Sequence, residues 1–219
     1  SPLIQYFGYK TQGVWKSQEE IDANPHFVDD IPGGLRIVDT DNNSMLDAND
    51  RVPLGNPYPD FTWGLTNNLR YKNFDFSILI QGVQGITVFN GDVFYTETMR
   101  YNKAYTKNRW ISPEHPGDGK TPYEKSGHNL LLTDYPLQNA SYACLRNLTI
   151  GYTMPKDIVK KMHLNDLRFY LSGNNLLYIW SGDYRGINPE SRFTAGPYTN
   201  TMIDGYQRGA FPLTSTISV

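Results

Sequence analysis

The stretch FTWGLTNNLRYKNFDFSILIQGVQ, residues 61–84, constrains the fold more than any other. Its odd positions up to Tyr71 are Phe61, Trp63, Leu65, Asn67, Leu69 and Tyr71, and only Asn67 is polar. The even positions are Thr62, Gly64, Thr66, Asn68 and Arg70, and none carries a large apolar side chain. A period of two places these sets on opposite faces of a β-strand, whereas a helix needs a period near 3.6. Lys72-Asn73 then makes a two-residue turn, a place where Asn tolerates left-handed backbone. The chain returns with Phe74, Phe76, Ile78 and Ile80 on one face, and with Asp75, Ser77 and Gln81 beside Leu79 on the other. This is a long hairpin with one greasy side, which must meet either a second sheet or lipid.

A second alternating pair lies further on. Leu148, Ile150, Tyr152 and Met154 alternate with Asn147, Thr149, Gly151 and Thr153. PKDIVKKMHLND (155–166) reads as a short helical turn with Pro155 at its start. Leu167, Phe169 and Leu171 then alternate with polar neighbours, and Leu213, Ser215, Ile217 and Val219 begin a last strand. Two long stretches, 86–140 and about 181–210, are irregular and rich in Gly, Pro, Asn and Tyr. Structureless loops of that length are uncommon in compact soluble domains but normal at one rim of an outer-membrane barrel. Following the chain, every short connection falls at one end of the strands and every long one at the other. An eleven-residue strand tilted by ~45° spans about 25 Å, the height of a membrane barrel's apolar band.

The expected fold is therefore all-β, an antiparallel transmembrane β-barrel segment with long extracellular loops. Residues 1–59 form a strand end and an extracellular loop, 60–84 a barrel hairpin and 85–140 a long extracellular loop. Residues 141–179 form a second hairpin with a periplasmic helical turn, 180–210 another outer loop, and 211–219 the start of a final strand. Five or six strands cannot close a membrane barrel, which needs at least ~8, so a piece of something larger is expected.

Composition narrows the remaining classes. A net charge of −2 with mixed signs offers no basic stripe for nucleic acid. One cysteine, Cys144, allows no internal disulfide. The four histidines have no zinc-type spacing, no apolar run reaches helical-span length, and no signal peptide is visible at the N-terminus. Aromatics make up 14% of a chain that is only 39% hydrophobic, which suits half-exposed strands or a carbohydrate-facing surface better than a helical core. No carboxylate pair, Ser-His-Asp elbow or activated thiol marks a catalytic site, and no organic cofactor is indicated.

VDTDNNSMLDANDR (38–51) concentrates carboxylates in a turn-forming stretch. Counted from Asp39, the oxygen positions of an EF-hand-type loop fall on Asp39, Asp41, Asn43, the Met45 carbonyl, Asp47 and Asp50. Leu46 takes the apolar position that such loops tuck inward. The spacing suits Ca²⁺, which would neutralise crowded carboxylates. Ser44 replaces the usual Gly, at a cost of about 1 kcal/mol for left-handed backbone, and Asp50 replaces a bidentate Glu. A solvated loop built from Asx turns is the alternative reading of the same residues.

Several stretches together resemble the C-terminal part of the SusC/RagA-type TonB-linked outer-membrane transporters of Bacteroidetes. They are YFGYKTQGVWKSQEEI, PGGLRIVDTDNNSMLDANDRVPLGNPYPDF with the hairpin that follows, NRWISPEHPG, ASYACLRNLTIGYTMP and RFYLSGNNLLYIWSGDYRGINPE, in that order. The resemblance covers nearly the whole chain. It implies a plugged barrel of ~22 strands in the outer membrane, of which this is the last quarter or so. It also implies a SusD-like surface lipoprotein partner, oligosaccharide or peptide as substrate, and TonB engaging an N-terminal part outside this chain. Three departures stand out. The plug is not in this chain, no terminal Phe follows TSTISV, and Asn188 stands where the family often has Asp before Pro189-Glu190. Under this reading Thr62, Thr66, Asn68, Arg70, Ser77, Gln81, Thr149 and Arg168 line the interior. Trp63, Tyr71, Phe74, Phe76 and Tyr152 form the aromatic girdles at the lipid headgroups. Tyr101, Trp110, Trp180 and Tyr184 are the loop aromatics best suited to touch substrate or partner; the alternative is that such rings pack the long loops against each other. The rival reading is a soluble, calcium-braced β-sandwich that binds glycans. A weaker rival is an enzyme with its carboxylates in the loops.

Overall fold

The computed structural model describes residues 5–93, 107–123, 133–191 and 205–219. In chain order the strands are β1 Tyr6–Tyr9, β2 Thr11–Val14, β3 Leu35–Ile37, β4 Arg51–Gly55, β5 Phe61–Tyr71, β6 Phe74–Gln84, β7 Thr87–Asn90, β8 Leu137–Asn139, β9 Tyr142–Thr153, β10 Arg168–Trp180, β11 Tyr206–Gln207 and β12 Thr216–Ser218. The helices are α1 Gln18–Asp22 and α2 Lys156–Lys161. These elements form two compact units.

One unit comprises Pro59–Ile86, Asn139–Glu190 and Phe211–Val219. It is a five-stranded antiparallel sheet in the order β12-β10-β9-β6-β5. Within this sheet the strands lie side by side in the order in which they occur along the chain, as in an up-and-down barrel wall. The long hairpin has the expected bounds, with Phe61 opposite Gln84 and Tyr71 opposite Phe74. Lys72 takes the left-handed conformation in its turn, at φ 54°. Asn73 accepts a hydrogen bond through its carbonyl from the Thr153 N–H at 2.9 Å. The tight turn and the β9-to-β10 connection therefore share one end of the sheet.

The second hairpin is longer than the alternation predicts. β9 starts at Tyr142, within the hairpin expected over 141–179 but five residues before the readable alternation at Asn147, and its register shifts on both of its sides. Against β6 the pairing passes from Leu79–Asn147 to Ile80–Leu145, which leaves Arg146 as the extra residue of a bulge. Against β10 it passes from Asn174–Asn147 to Leu177–Leu145. An inserted residue destroys the period of two locally, so the strand is invisible to pattern reading beyond it. The last strand is shorter than expected, and only Thr216–Ser218 pairs with β10.

The other unit comprises Ser1–Tyr58, Thr87–Gln138 and Ser191–Ala210. Where the sequence predicts loops, short strands occur. β1 pairs with β4, β2 with β3, and β7 is flanked by β8 and by β11, which runs parallel to it. Strands of two to five residues are too short to print an alternation. Several find partners far away in sequence, as when Tyr206 pairs with Phe89. Val14, Leu35 and Trp110 form the core, with Tyr123 and Tyr135 against it. Gly33, at φ +82°, lies under the Trp110 ring, where a Cβ would come within 2.4 Å of a ring carbon. Ser17 caps α1 by accepting from the Glu20 N–H. Arg36 reaches back to the Glu20 carboxylate at 2.8 Å and lies over the Trp15 ring. Among the described residues no helix is long and apolar enough to cross a membrane.

Candidate functional site

The register sorts the wall's side chains into two faces. One row runs Asn68–Ser77–Thr149–Ser172–Ser218 across all five strands, and every member is polar. Thr149 and Ser172 hydroxyls lie 3.0 Å apart, and the Asn147 amide donates to Asn174 at 2.8 Å. The neighbouring row, Arg70–Asp75–Gly151–Tyr170, carries an ion pair. Arg168 donates to the Asp75 carboxylate at 2.6 Å. The bridge passes over Gly151, where a Cβ would come within 2.6 Å of both Asp75 oxygens. Every residue expected to line an interior follows the alternation onto this polar face.

The opposite face is apolar and largely exposed. Its rows include Leu65–Ile80–Leu145–Leu177 and Leu69–Phe76–Ile150–Leu171. Leu65, Leu69, Ile150, Leu171, Leu177 and Ile179 stand exposed there. Soluble monomers rarely expose contiguous apolar patches beyond a few hundred Å². At the end bearing the tight turn the row Tyr71–Phe74–Tyr152–Phe169 places one aromatic ring on each of four strands. The Phe74 and Tyr152 ring centroids are 4.7 Å apart. Phe76, expected in a girdle, sits one row further in. Toward the other end Trp63 covers Gly82, where a Cβ would meet its indole at 2.2 Å.

Near that other end the bulge residue Arg146 gathers a polar cluster that sequence reasoning missed. Its Nε donates to the Gln81 amide oxygen at 2.9 Å. Its Nη1 donates to Asn175 at 2.8 Å and to the Tyr178 hydroxyl at 2.9 Å. Both terminal nitrogens reach the Glu190 carboxylate. This ties the segment after β10 to the polar face. Asn188 supports it, accepting from the Glu190 N–H at 2.9 Å and donating to the Phe211 carbonyl at 3.0 Å. Cys144 lies buried in the same strand. The only sequence signal was the Asn188-Pro189-Glu190 segment, and nothing in it points to Arg146.

The acidic loop brings three of its expected ligands together. One carboxylate oxygen each of Asp39, Asp41 and Asp50 lies within 4.8 Å of the others. Ser44 is left-handed at φ 68°, and so is Asn42 at φ 57°. The Asp39 carboxylate accepts from the Asn43 and Ser44 N–H groups. Buried Asp50 accepts from Thr40 at 2.7 Å and from Asp47 at 2.9 Å. Burial pushes the Asp50 carboxyl up, but the Asp47, Thr40 and Asp41 N–H groups outweigh it and hold it below its ordinary value. Asp41, although on the surface, is raised, first by desolvation and further by the Asp39 and Asp50 charges, against the pull of the Asn43 N–H. Asp47 and Asn43 are engaged elsewhere. Asp47 caps the Ala48–Asp50 turn, and Asn43 accepts from the exposed Met45 N–H at 2.7 Å. Leu46 is half-buried rather than tucked fully in. Carboxylates matched to N–H groups realise the Asx-turn reading, and they leave the three-oxygen cluster available to a cation.

Of the four loop aromatics singled out, Tyr101 lies outside the described residues. Two offer no free face, as the alternative of loop-filling rings requires. Trp110 is 7% exposed within the core and packs edge-on to Tyr123, and Tyr184 is 5% exposed. Both are held because large rings are the main apolar filling available to loops with few aliphatic residues. Trp180 remains accessible, edge-on to Tyr184 and opposite Tyr142 in the register.

No protein-family model matches the chain. It is 33% identical over 221 residues to TonB-dependent receptor P26 of Formosa agariphila, an alignment covering 98% of this chain and 22% of that protein. Receptor P3 of the same organism is 31% identical over 218 residues, covering 98% and 21%. TonB-dependent receptor SusC of Bacteroides thetaiotaomicron is 27% identical over 209 residues, covering 89% and 19%. Among solved structures, the RagAB peptide transporter superposes with a TM-score of 0.68 at 21% identity, over 97% of this chain and 22% of that one. The chain thus spans about a fifth of the length of the relatives it matches. Aligned almost throughout with these receptors, and folded as a strip of barrel wall with one apolar and one polar face, the chain belongs to the SusC/RagA-type family of TonB-dependent receptors.

Proposed function

We propose that the chain forms wall and outer loops of an outer-membrane nutrient importer that takes up oligosaccharide or peptide fragments. The apolar face meets hydrocarbon, and the polar face lines the interior. The end with the tight turn and α2 faces the periplasm, and the long connections face outside. A SusD-like lipoprotein caps the outside, and TonB drives transport through a part of the protein beyond this chain. The observation that carries this reading is the exposed apolar face bounded by an aromatic row. A soluble β-sandwich would need a second sheet there. Trp180 is the accessible aromatic best placed to stack on substrate.

Deleting the gene for the full-length protein should abolish uptake of one class of labelled fragments, oligosaccharide or peptide. Complementation with the Trp180→Ala variant should raise the concentration needed for half-maximal uptake. Unchanged uptake of both classes in the deletion strain would refute the importer reading.

We also propose that Asp39, Asp41 and Asp50, with Asn43, the Met45 carbonyl and Asp47 as further candidates, hold Ca²⁺ as a brace for the loop. Hard oxygen donors, one from each of three carboxylates within 4.8 Å of one another, suit that ion. Calcium titration of the purified full-length protein should show saturable heat that Asp41→Asn weakens. Equal heat from the variant would exclude the site.

A further inference from the structure

We propose that the β9-to-β10 connection, residues 155–166, is a membrane-surface element that beds into the headgroup layer of the periplasmic leaflet and binds anionic glycerophospholipid. The inference rests on the membrane reading above and goes beyond it. A connection facing only water would need no large apolar side chains on its outside. Here Ile158 is 44% exposed, Met162 51% and Leu164 44%, all within seven residues. They are not the outside of a loose loop. Val159 is buried beneath them and holds α2 down. The Leu164 N–H donates to the Val159 carbonyl at 3.2 Å, His163 closes the helix with left-handed backbone at φ 58°, and the Met154 N–H donates to the Leu167 carbonyl at 2.9 Å. The backbone is thus fixed with these side chains turned outward.

Two observations identify the occupant. The first is continuity. The connection joins β9 just beyond Tyr152 and β10 just before Phe169, both members of the aromatic row. Such rings sit at headgroup depth, so residues one turn beyond them lie where headgroups are. The second is charge. Lys156, Lys160 and Lys161 are exposed around the apolar trio, and Lys72 projects from the adjacent turn. Lys72 also lies over the Tyr71 ring at 5.3 Å. None of these lysines forms an ion pair among the described residues. Asp157 and Asp166 oppose them on the connection, so four lysines face two carboxylates and the surface stays cationic. Apolar side chains amid lysines on a short amphipathic element match the chemistry of interfacial binding, with lysine stems along the acyl boundary and ammonium groups at phosphates.

The test uses the full-length protein in nanodiscs of phosphatidylcholine with or without phosphatidylglycerol. An environment-sensitive fluorophore is placed on a cysteine at Met162 and, separately, at Leu171 on the wall, with reactive cysteines elsewhere removed. Both probes should be quenched by lipid carrying a spin label near its headgroup. At Met162, iodide quenching should be at least about two-fold weaker with phosphatidylglycerol than without it. Lys156→Gln, Lys160→Gln and Lys161→Gln together should abolish that difference. If Leu171 is quenched by lipid and Met162 is open to iodide in both lipids, the inference is wrong while the wall reading stands. Protection of Met162 from iodide without lipid quenching would mean that protein covers the connection, which also overturns it. Absence of lipid quenching at Leu171 would remove the membrane reading itself.

Discussion

A charge moved by one residue along β6 separates the two faces. Ile78 lies on the apolar face in the row with Leu148, and Ser77 lies on the polar face beside Thr149. Phe74, four residues from Ile78, marks the aromatic row. At ~3.3 Å per residue and a tilt near 45°, Ile78 sits about 9 Å inside that row, approaching the middle of a ~25 Å apolar band. Arginine near the midplane costs about 2–4 kcal/mol, falling to about 0–1 at the interface. Ile78→Arg should therefore lower the folding constant in lipid by a factor of about 30 to 1000, and Phe74→Arg by less than about ten. Ser77→Arg places the same charge among Asn68 and Thr149 and should change stability by less than about 0.5 kcal/mol. The assay is equilibrium denaturant titration of the full-length protein in phospholipid vesicles, followed by the gel shift between folded and unfolded barrel. Equal costs at Ile78 and Ser77, or a larger cost at Phe74 than at Ile78, would refute the assignment of this face to hydrocarbon.

Three further outcomes follow from particular contacts. Gly151→Val should push apart Asp75 and Arg168. Both groups are substantially exposed, so the loss should stay under about 1 kcal/mol. A double-mutant cycle with Asp75→Asn should show the coupling gone in the valine background. Glu190→Gln should loosen the segment after β10 without affecting the wall, seen as faster amide exchange at Ser181–Glu190 and unchanged exchange in β6. The Asp50 and Asp118 carboxyls lie below their ordinary value of 3.8. Burial raises Asp118 too, but the Thr121 and Lys120 N–H groups and the Thr121 hydroxyl outweigh it. Depressed carboxyls contribute stability that is present above the unfolded-state value and lost as pH falls through the lower folded-state value. Protection of the Thr40 and Thr121 amides should hold down to the ordinary carboxylate range and vanish below it. Loss at higher pH would contradict the assigned hydrogen bonds.

The long hairpin was legible to the residue, because no bulge shifts the phase of the alternation between Phe61 and Gln84, in spite of Asn67 and Leu79, and the only break is a turn. The alternation of β9 was legible only on the tight-turn side of Arg146, although the second hairpin was expected over 141–179. Past it the bulge breaks the phase, and a reader of alternation loses the strand. The short strands around the loops left no periodic trace, since β7, β8 and β11 owe their pairing to residues far off in sequence. The carboxylate cluster was half legible. Loop spacing located Asp39, Asp41 and Asp50, but whether a carboxylate faces a cation or a backbone N–H depends on turn conformations that spacing alone does not fix. Which of Trp110, Trp180 and Tyr184 would be buried was not legible, because an aromatic in a long loop reads the same whether it contacts a ligand or fills the loop's own core.

The crease at Arg146 has one more consequence. Asn147 and Cys144 point the same way because the arginine between them takes up no place in the pairing lattice. Removing it would close the bulge toward β6, with the remaining residues keeping their present sides there, whereas β10 would still carry Asn175 and Leu176 outside the pairing. The fastening of the segment after β10 is thus an accessory to the pairing with β6 rather than part of it. Losing that fastening would leave the apolar rows of β5 and β6 untouched.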